Sequence, residues 1–180
     1  TFTASTGVLT GTPTNDDVGS HSVVITVADS LSSVTDTFSI TVANTNDAPT
    51  ISSTAVTSVD EDAAYSYTVT GADVDSGDTL TLTGTTVPSW LTFTASSGAL
   101  AGTPTNDEVG SHSVTITVED AAGATGSQTF TITVANTNDA PTVTSTAVTS
   151  VDEDSAYSYS ITTADVDSGD TAAITCSCAS

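Results

Sequence analysis

The stretch VTITVEDAAGATGSQTFTITV, residues 114–134, decides the fold. Apolar residues alternate with threonine over residues 114–118 and again over residues 130–134. Strict alternation places every apolar side chain of a strand on the same face of a sheet. The glycine-containing segment between the two alternating runs is typical of a hairpin loop. The stretch therefore predicts two strands that each bury one face.

The chain repeats itself with a period of about 92 residues. GTPTND occurs at residues 11–16 and 102–107, an offset of 91, and NTNDAPT occurs at residues 44–50 and 136–142, an offset of 92. The one-residue difference falls in the loop after the first alternating run, as a variable hairpin loop would behave. Repetition at this period indicates an array of similar structural units.

One full period, residues 50–141, contains seven candidate strands. They are residues 51–58, 64–71, 79–84, 90–94, 98–102, 112–119 and 128–135. Seven short strands with a turn signal every 8–12 residues or so predict an all-β fold, a β-sandwich of immunoglobulin-like or cadherin-like type.

The charge of the chain is entirely negative. It contains 22 acidic residues and neither lysine nor arginine, for a formal net charge of -22. Such a charge excludes nucleic acid as a partner and repels anionic lipid. No apolar run of about 18 residues is present, so we expect no membrane insertion. A hydrophobic content of 37% together with the strand alternation argues against a disordered chain.

Residues 87–141 carry a family resemblance. A Pro-Ser-Trp-Leu turn, a Gly-Thr-Pro and a terminal Asn-Asp-Ala-Pro follow one another in that segment. It resembles a dystroglycan-type cadherin-like repeat of bacterial surface and secreted proteins. The resemblance implies tandem Greek-key sandwiches of about 92 residues, with calcium at the junctions between them.

The resemblance also implies a set of calcium ligands at each junction. NTNDAP resembles the cadherin linker, VDED the acidic end of the first cadherin strand, and DVD an inter-strand Asp-x-Asp. For the first junction the implied ligands are Asp16, Asp17, Asn44, Asn46, Asp47, Asp73, Asp75 and Asp120. For the second junction they are Glu61, Asp107, Glu108, Asn136, Asn138, Asp139, Asp165 and Asp167.

The chemistry of these residue types agrees with that implication. Ca²⁺ takes about 6–8 oxygen ligands from carboxylates, Asn side chains and backbone carbonyls. The acidic residues cluster at strand ends and linkers, which favours specific sites over a merely solvated acidic surface. Asp60, Asp62, Asp78 and the corresponding residues Asp152, Asp154 and Asp170 could be ligands or solvated groups.

The remaining motifs give no sign of catalysis. We find no serine nucleophile set, phosphate-binding glycine loop or zinc spacing, and we expect no enzymatic activity. Trp90 could offer a sugar-stacking platform, but a lone Trp in a sandwich more often fills the core. Cys176 and Cys178 could form an intermolecular disulfide, remain as thiols or reflect a local sequence uncertainty.

The repeat boundaries divide the chain into three parts. Residues 1–49 correspond to the second half of a repeat, residues 50–141 form a complete repeat, and residues 142–180 correspond to a first half. Two interpretations stay open: the halves complete each other between neighbouring subunits, head to tail, or the 180 residues are a slice of a longer array.

Together these patterns predict a structural extracellular protein at a bacterial cell surface. We expect a calcium-rigidified rod or filament that serves adhesion or matrix scaffolding, with cell-surface or matrix glycans as further partners. The alternative is a carbohydrate- or protein-binding module within a larger secreted protein.

Overall fold

In the part of the chain that the structure describes, the regular structure consists of β-strands and two short 3₁₀ turns. The computed structural model describes residues 1–167, 169–170 and 172–177. Cys178 lies outside the described residues, and Cys176 is exposed. The 3₁₀ turns are Asn15–Asp17 and Asn106–Glu108. The strands of the described residues are β1 Phe2–Thr3, β2 Val8–Leu9, β3 Gly19–Ala28, β4 Ser33–Val42, β5 Thr50–Ile51, β6 Ser58–Asp60, β7 Tyr65–Thr68, β8 Gly71–Ala72, β9 Thr81–Thr86, β10 Leu91–Thr94, β11 Ala99–Gly102, β12 Gly110–Glu119, β13 Thr125–Ala135, β14 Thr142–Val143 and β15 Thr163–Ala164.

The prediction of an all-β chain is confirmed, but the first two strands of the complete repeat are each split in two. The segment predicted as 51–58 forms β5, which pairs antiparallel with β8, and β6, which pairs parallel with β13. The segment thus changes partner along its length, and residues 52–57 lie outside regular strands. The segment predicted as 64–71 divides into β7, which pairs with β11, and β8.

The strands of the complete repeat form two main sheets. One has the antiparallel order β10–β11–β7, and the other has the order β6–β13–β12–β9. The described residues also form four smaller two-stranded sheets, which are β1–β2, β3–β4, β5–β8 and β14–β15. In the β11–β7 pair, Leu100 lies opposite Tyr67.

The described chain divides into two compact units. The first consists of Thr1–Ser52, Thr70–Thr83 and Thr117–Gln128, and the second of Ser53–Val69, Gly84–Ile116 and Thr129–Ser180. Strands β9, β12 and β13 contribute residues to both units.

The second unit contains most of the hydrophobic core. Leu100, Val114, Ile116 and Ile132 are fully buried in it, as the alternation of β12 and β13 predicts. Tyr67 packs edge to face on Phe130 with 5.7 Å between ring centroids. Apolar burial of this kind contributes roughly 25 cal/mol for each Å² removed from water, so these inward faces hold the sheets together.

The first unit contains the long hairpin β3–β4. Its ten paired positions run from Gly19 opposite Val42 to Ala28 opposite Ser33. The sequence alternates as in β12 and β13, yet the apolar side chains of this hairpin are largely exposed. Alternation therefore determines on which face of the sheet each side chain lies. Whether that face is buried depends on whether other strands pack against it.

Gly102 is required by a close approach of the backbone. A Cβ atom at this position would lie 2.1 Å from the carbonyl oxygen of Trp90. Gly11 is the equivalent residue one repeat earlier, and a Cβ atom there would meet no heavy atom within 4 Å. Alanine substitutions at Gly102 and Gly11 therefore separate the effect of the contact with Trp90 from the general effect of replacing glycine with alanine.

We predict that Gly102→Ala lowers the free energy of unfolding by about 1–3 kcal/mol, because the backbone around Trp90 must shift to make room. Gly11→Ala should change it by less than about 0.5 kcal/mol. Urea denaturation followed by far-ultraviolet circular dichroism, which reports the strands of both units, measures both changes. Equal effects of the two substitutions would contradict the role of the Trp90 contact.

Candidate functional site

The first acidic cluster lies in the loop after β8 and consists of Asp73, Asp75 and Asp78. One carboxylate oxygen of each lies within 4.8 Å of the others. The backbone N–H of Asp75 donates to Asp73 Oδ1 at 2.9 Å, which folds the loop back on itself. Gly77 has φ of 95° in this loop, a conformation that glycine adopts readily. The turn therefore brings together three like charges that the sequence spaces over six residues.

The linker at residues 44–49 is attached to this loop within the first unit. The backbone N–H of Asp47 donates to Asp75 Oδ2 at 2.7 Å. The Asn46 side-chain amide donates to Asp120 Oδ2 at 2.8 Å, and the Asn15 amide donates to Asp47 Oδ2 at 2.8 Å. Residues from both sides of the linker thus meet at the first cluster.

A glycine also helps to place the linker. The carbonyl oxygen of Pro49 lies 2.1 Å from the position that a Cβ atom of Gly126 would occupy. Pro49 itself is fully buried. Gly126, at the start of β13, thus permits the linker to lie directly against the strand.

The second acidic cluster consists of Glu61, Asp139 and Asp167, and it lies within the second unit. One carboxylate oxygen of each lies within 4.8 Å of the others. Glu61 follows β6, Asp139 lies in the linker after β13, and Asp167 follows β15. Three segments that are distant in the sequence therefore supply one carboxylate each.

Hydrogen bonds also hold the second cluster, and the bond from the linker N–H to the loop aspartate recurs in it. The backbone N–H of Asp139 donates to Asp167 Oδ2 at 2.6 Å, and the Asn106 amide donates to Asp167 Oδ1 at 3.1 Å. The backbone N–H of Thr137 donates to Glu61 Oε1 at 2.5 Å. The two junctions thus share one scheme, with asparagine and linker N–H groups as donors to acidic side chains.

Three buried carboxylate oxygens at these clusters have no hydrogen-bond partner among the described residues. They are Glu61 Oε2, Asp73 Oδ2 and Asp75 Oδ1. A buried charge without a partner costs several kcal/mol, and the sequence offers no lysine or arginine to compensate it. A hard divalent cation such as Ca²⁺ prefers oxygen ligands, and clustered carboxylates supply such ligands together with negative charge. The residues therefore fit a cation of this type.

The titration behaviour of the clusters reflects their crowding. Burial, followed by repulsion from Asp167 and other acids, raises the pKa of Asp139. Burial, followed by repulsion from Asp73, raises the pKa of Asp78. By contrast, the hydrogen bond from the Asn46 side chain lowers the pKa of Asp120. The pKa values of Asp139 and Asp78 are raised first by burial and second by the negative charges around them.

Two of the proposed ligands act as caps of the 3₁₀ turns. Asp17 Oδ2 accepts hydrogen bonds from the N–H and the hydroxyl of Thr14, and the first of these bonds is the main cause of the lowered pKa of Asp17. Glu108 Oε2 accepts the same two bonds from Thr105, whose hydroxyl is the main cause of its lowered pKa. One oxygen of each carboxylate is thereby occupied locally.

Some of the other predicted ligands lie beside a cluster or form local hydrogen bonds, and the rest lie outside both clusters. Asp165 lies beside the second cluster and accepts a bond from the N–H of Asp167 at 3.0 Å. Asn138 donates to the carbonyl of Asp139 at 2.8 Å, as Asn46 does to the carbonyl of Asp47 at 3.0 Å. The remaining four are exposed and belong to neither cluster; they are Asp16, Asn44, Asp107 and Asn136.

Sequence reasoning left Asp78 undecided and missed the roles of Asn15 and Asn106. Each of the three is repeated in the sequence, Asp78 as Asp170 and Asn15 as Asn106. The recurrence of the same polar residue in both copies of a loop was the sequence signal that could have revealed these roles.

Trp90 lies among core aromatics. Its ring packs edge to face on Tyr65 at 5.9 Å and on His112 at 5.8 Å between centroids. The ring is half-buried, in keeping with a core role and not with a flat exposed platform. Among the residues that the structure describes, there is no helix with the length and apolarity needed to cross a membrane.

Comparison with solved structures finds cadherin ectodomains. PcdhgB3 EC1-4 matches with a TM-score of 0.59 and 20% sequence identity, covering 90% of this chain and 44% of that one. Protocadherin Gamma B2 extracellular cadherin domains 1-5 match with a TM-score of 0.56 and 24% identity, covering 87% of this chain and 34% of that one. At these identities the likeness shows the fold alone.

An endo-fucoidan hydrolase from glycoside hydrolase family 107 also matches, with 31% identity and a TM-score of 0.46, covering 71% of this chain and 20% of that one. A TM-score this low carries no argument about function. The chain spans less than half the length of each of these structures. No curated protein sequence is similar enough to count as a match.

The family comparison covers most of the chain. The model of the family described as "Putative Ig domain" matches residues 1–43 and 48–135. The cadherin-like fold of the solved neighbours agrees with that match, and domains of this class are usually extracellular and typically non-enzymatic. The chain belongs to the Putative Ig domain family, as an immunoglobulin-like, cadherin-like repeat protein.

Proposed function

We propose that this chain is a structural, calcium-binding segment of an extracellular bacterial protein, in which Ca²⁺ stiffens the junctions between consecutive repeats. The observation that carries the proposal is the pair of acidic clusters with buried, unpartnered oxygens in a chain without lysine or arginine. The proposed role is a rod or filament in adhesion or matrix scaffolding, and it is not enzymatic.

The residues that would hold the ion are those whose oxygens converge. At the second junction they are Glu61, Asp139 and Asp167, and at the first they are Asp73, Asp75 and Asp78. When bound, Ca²⁺ supplies the positive charge that several carboxylates can share. Hydrogen bonds from the linker N–H groups and the asparagine side chains already orient these carboxylates. The side chains therefore lose less conformational entropy when they bind the ion, because folding has already restricted them.

The stiffening follows from where the ligands originate. Glu61 belongs to the complete repeat, Asp139 to the linker and Asp167 to the next repeat. Carboxylates from all three repel one another while no cation balances them. One ion bound by all three carboxylates attracts each of them and so links the three segments that carry them. This link limits the movement of the linker.

We predict that Glu61→Gln weakens calcium binding at the second junction by at least 10-fold, because the amide keeps the shape of the side chain and loses its charge. Isothermal titration calorimetry with CaCl₂ measures the affinity. Glu153 is the equivalent residue one repeat later and is exposed, so Glu153→Gln is the matched control and should leave the affinity unchanged. The affinity should also fall at acidic pH, because the raised pKa of Asp139 favours its protonated, uncharged form.

Two outcomes of the titration would count against the proposal. The absence of calcium-dependent heat at millimolar concentration would mean that the clusters are acidic surfaces without an ion. An equal loss in both variants would mean that binding depends on general charge and not on the buried carboxylate.

We also predict that calcium narrows the range of distances across the first junction. Dyes attached to Ser39→Cys and Thr92→Cys, in a chain whose Cys176 and Cys178 are replaced by serine, report this distance by single-molecule energy transfer. The distribution should sharpen in calcium and broaden in chelator. The double variant Asp73→Asn, Asp75→Asn should stay broad in both. A distribution that does not respond to calcium would contradict the stiffening role.

A further inference from the structure

Asp62 and Asp154 have a backbone conformation that is uncommon for residues other than glycine. They are the two non-glycine residues of the described chain with a positive φ, of 58° and 62°. This left-handed region is costly for a residue with a Cβ atom, because that atom then lies close to the following carbonyl oxygen. Both residues end the motif VDED, at residues 59–62 and 151–154, so the conformation recurs in two copies of one turn.

Asp62 is the third residue of a tight turn that starts at the last residue of β6. The backbone N–H of Ala63 donates to the carbonyl of Asp60 at 3.3 Å and closes the turn. Turns that need a positive φ at the third position usually carry glycine or asparagine there. A turn that holds an aspartate in this region instead stores strain, and strain of this kind concentrates at functional sites.

The turn fixes the backbone that carries Glu61. The N–H of Glu61 donates to the carbonyl of Ala135 at 2.9 Å, and the N–H of Asp62 donates to the carbonyl of Pro104 at 2.8 Å. Pro104 is fully buried, so its carbonyl is held firmly. The two bonds hold the chain on either side of the Glu61 side chain, and the left-handed residue turns the chain away directly afterwards.

The Glu61 carboxylate depends on this support because its surroundings repel it. Glu61 is 3% exposed, and its Oε2 is buried with no partner among the described residues. Its Oε1 accepts a bond from the N–H of Thr137, and the carboxylates of Asp139 and Asp167 lie within 4.8 Å. If the backbone could relax, Glu61 would turn away from these like charges and towards water.

The side chain of Asp62 lies outside this arrangement. It is exposed, and it is not one of the three carboxylates that converge in the second cluster. What Asp62 contributes to the cluster is therefore the conformation of its backbone.

We propose that Asp62 is a positioning residue of the second cluster, whose left-handed backbone holds Glu61 Oε2 in place for the cation. The proposal rests on the proposed calcium site for the identity of that cation. The loop that anchors Asp62 through Pro104 also carries Asn106, whose amide donates to Asp167. One loop of the complete repeat thus supports two of the three carboxylates before an ion binds, which lowers the entropy lost on binding.

The test is a series of three substitutions at this position. Asp62→Gly and Asp62→Asn both lose the charge, but glycine and asparagine still enter the left-handed region readily, whereas Asp62→Ala does not. We expect Asp62→Ala to weaken calcium binding by about 5–10-fold, in line with the usual cost of that region. The glycine and asparagine variants should lose no more than about twofold, because an exposed charge contributes little. Isothermal titration calorimetry with CaCl₂ measures all three.

A second measurement needs no calcium. Amide hydrogen exchange in chelator, followed by NMR, reports whether the N–H of Thr137 remains bonded to Glu61. Asp62→Ala should speed the exchange of this amide by about fivefold or more, and the other two variants should leave it slow. The matched control is Asp154→Ala, which places the same strain on an exposed turn outside the second cluster and should change neither readout.

Two results would overturn the positioning role. Equal affinities and equal Thr137 exchange in the alanine and glycine variants would show that the left-handed backbone does not hold Glu61. An equal loss of affinity in all three variants would show that the charge of Asp62 acts instead. A chain that binds no calcium before substitution would contradict the proposed function itself, and Thr137 exchange in chelator would still decide whether Asp62 positions Glu61.

Discussion

Every carboxylate of this chain must be stabilised without the help of a lysine or an arginine, because the sequence contains neither. The described residues use two solutions. Isolated acids such as Asp17 and Glu108 accept hydrogen bonds from a nearby threonine, which lowers the pKa of each. The acids at the junctions are instead crowded together, with several oxygens left unpartnered. In the proposed function, this second group is the one that binds a cation.

The same constraint links the fold to the proposed function. Burial of alternating apolar faces holds the complete repeat together and is independent of charge, so this repeat folds as a strand-rich unit despite its acidity. Acidic side chains gather beside the linkers that carry Asp47 and Asp139. The proposed calcium sites lie at these junctions.

Much of this arrangement could be predicted from local sequence patterns. Val114 and Ile116 face inward because alternation has a period of two residues, and the cadherin-like resemblance implied Glu61, Asp75 and Asp167 as ligands. The rest depends on geometry that no pattern encodes. The first predicted strand is split because it changes its partner strand between sheets. Asp78 joins the first cluster because a tight turn brings it there. Glu108 caps a 3₁₀ turn that the sequence analysis did not predict.

The most direct test of the central claim is a crystal structure of the chain with Tb³⁺ in place of Ca²⁺, in which anomalous scattering locates each ion. The account predicts one peak bounded by the carboxylates of Glu61, Asp139 and Asp167 and another bounded by those of Asp73, Asp75 and Asp78. Ions found only at scattered surface carboxylates, or at neither cluster, would contradict the claim that these junctions are cation sites.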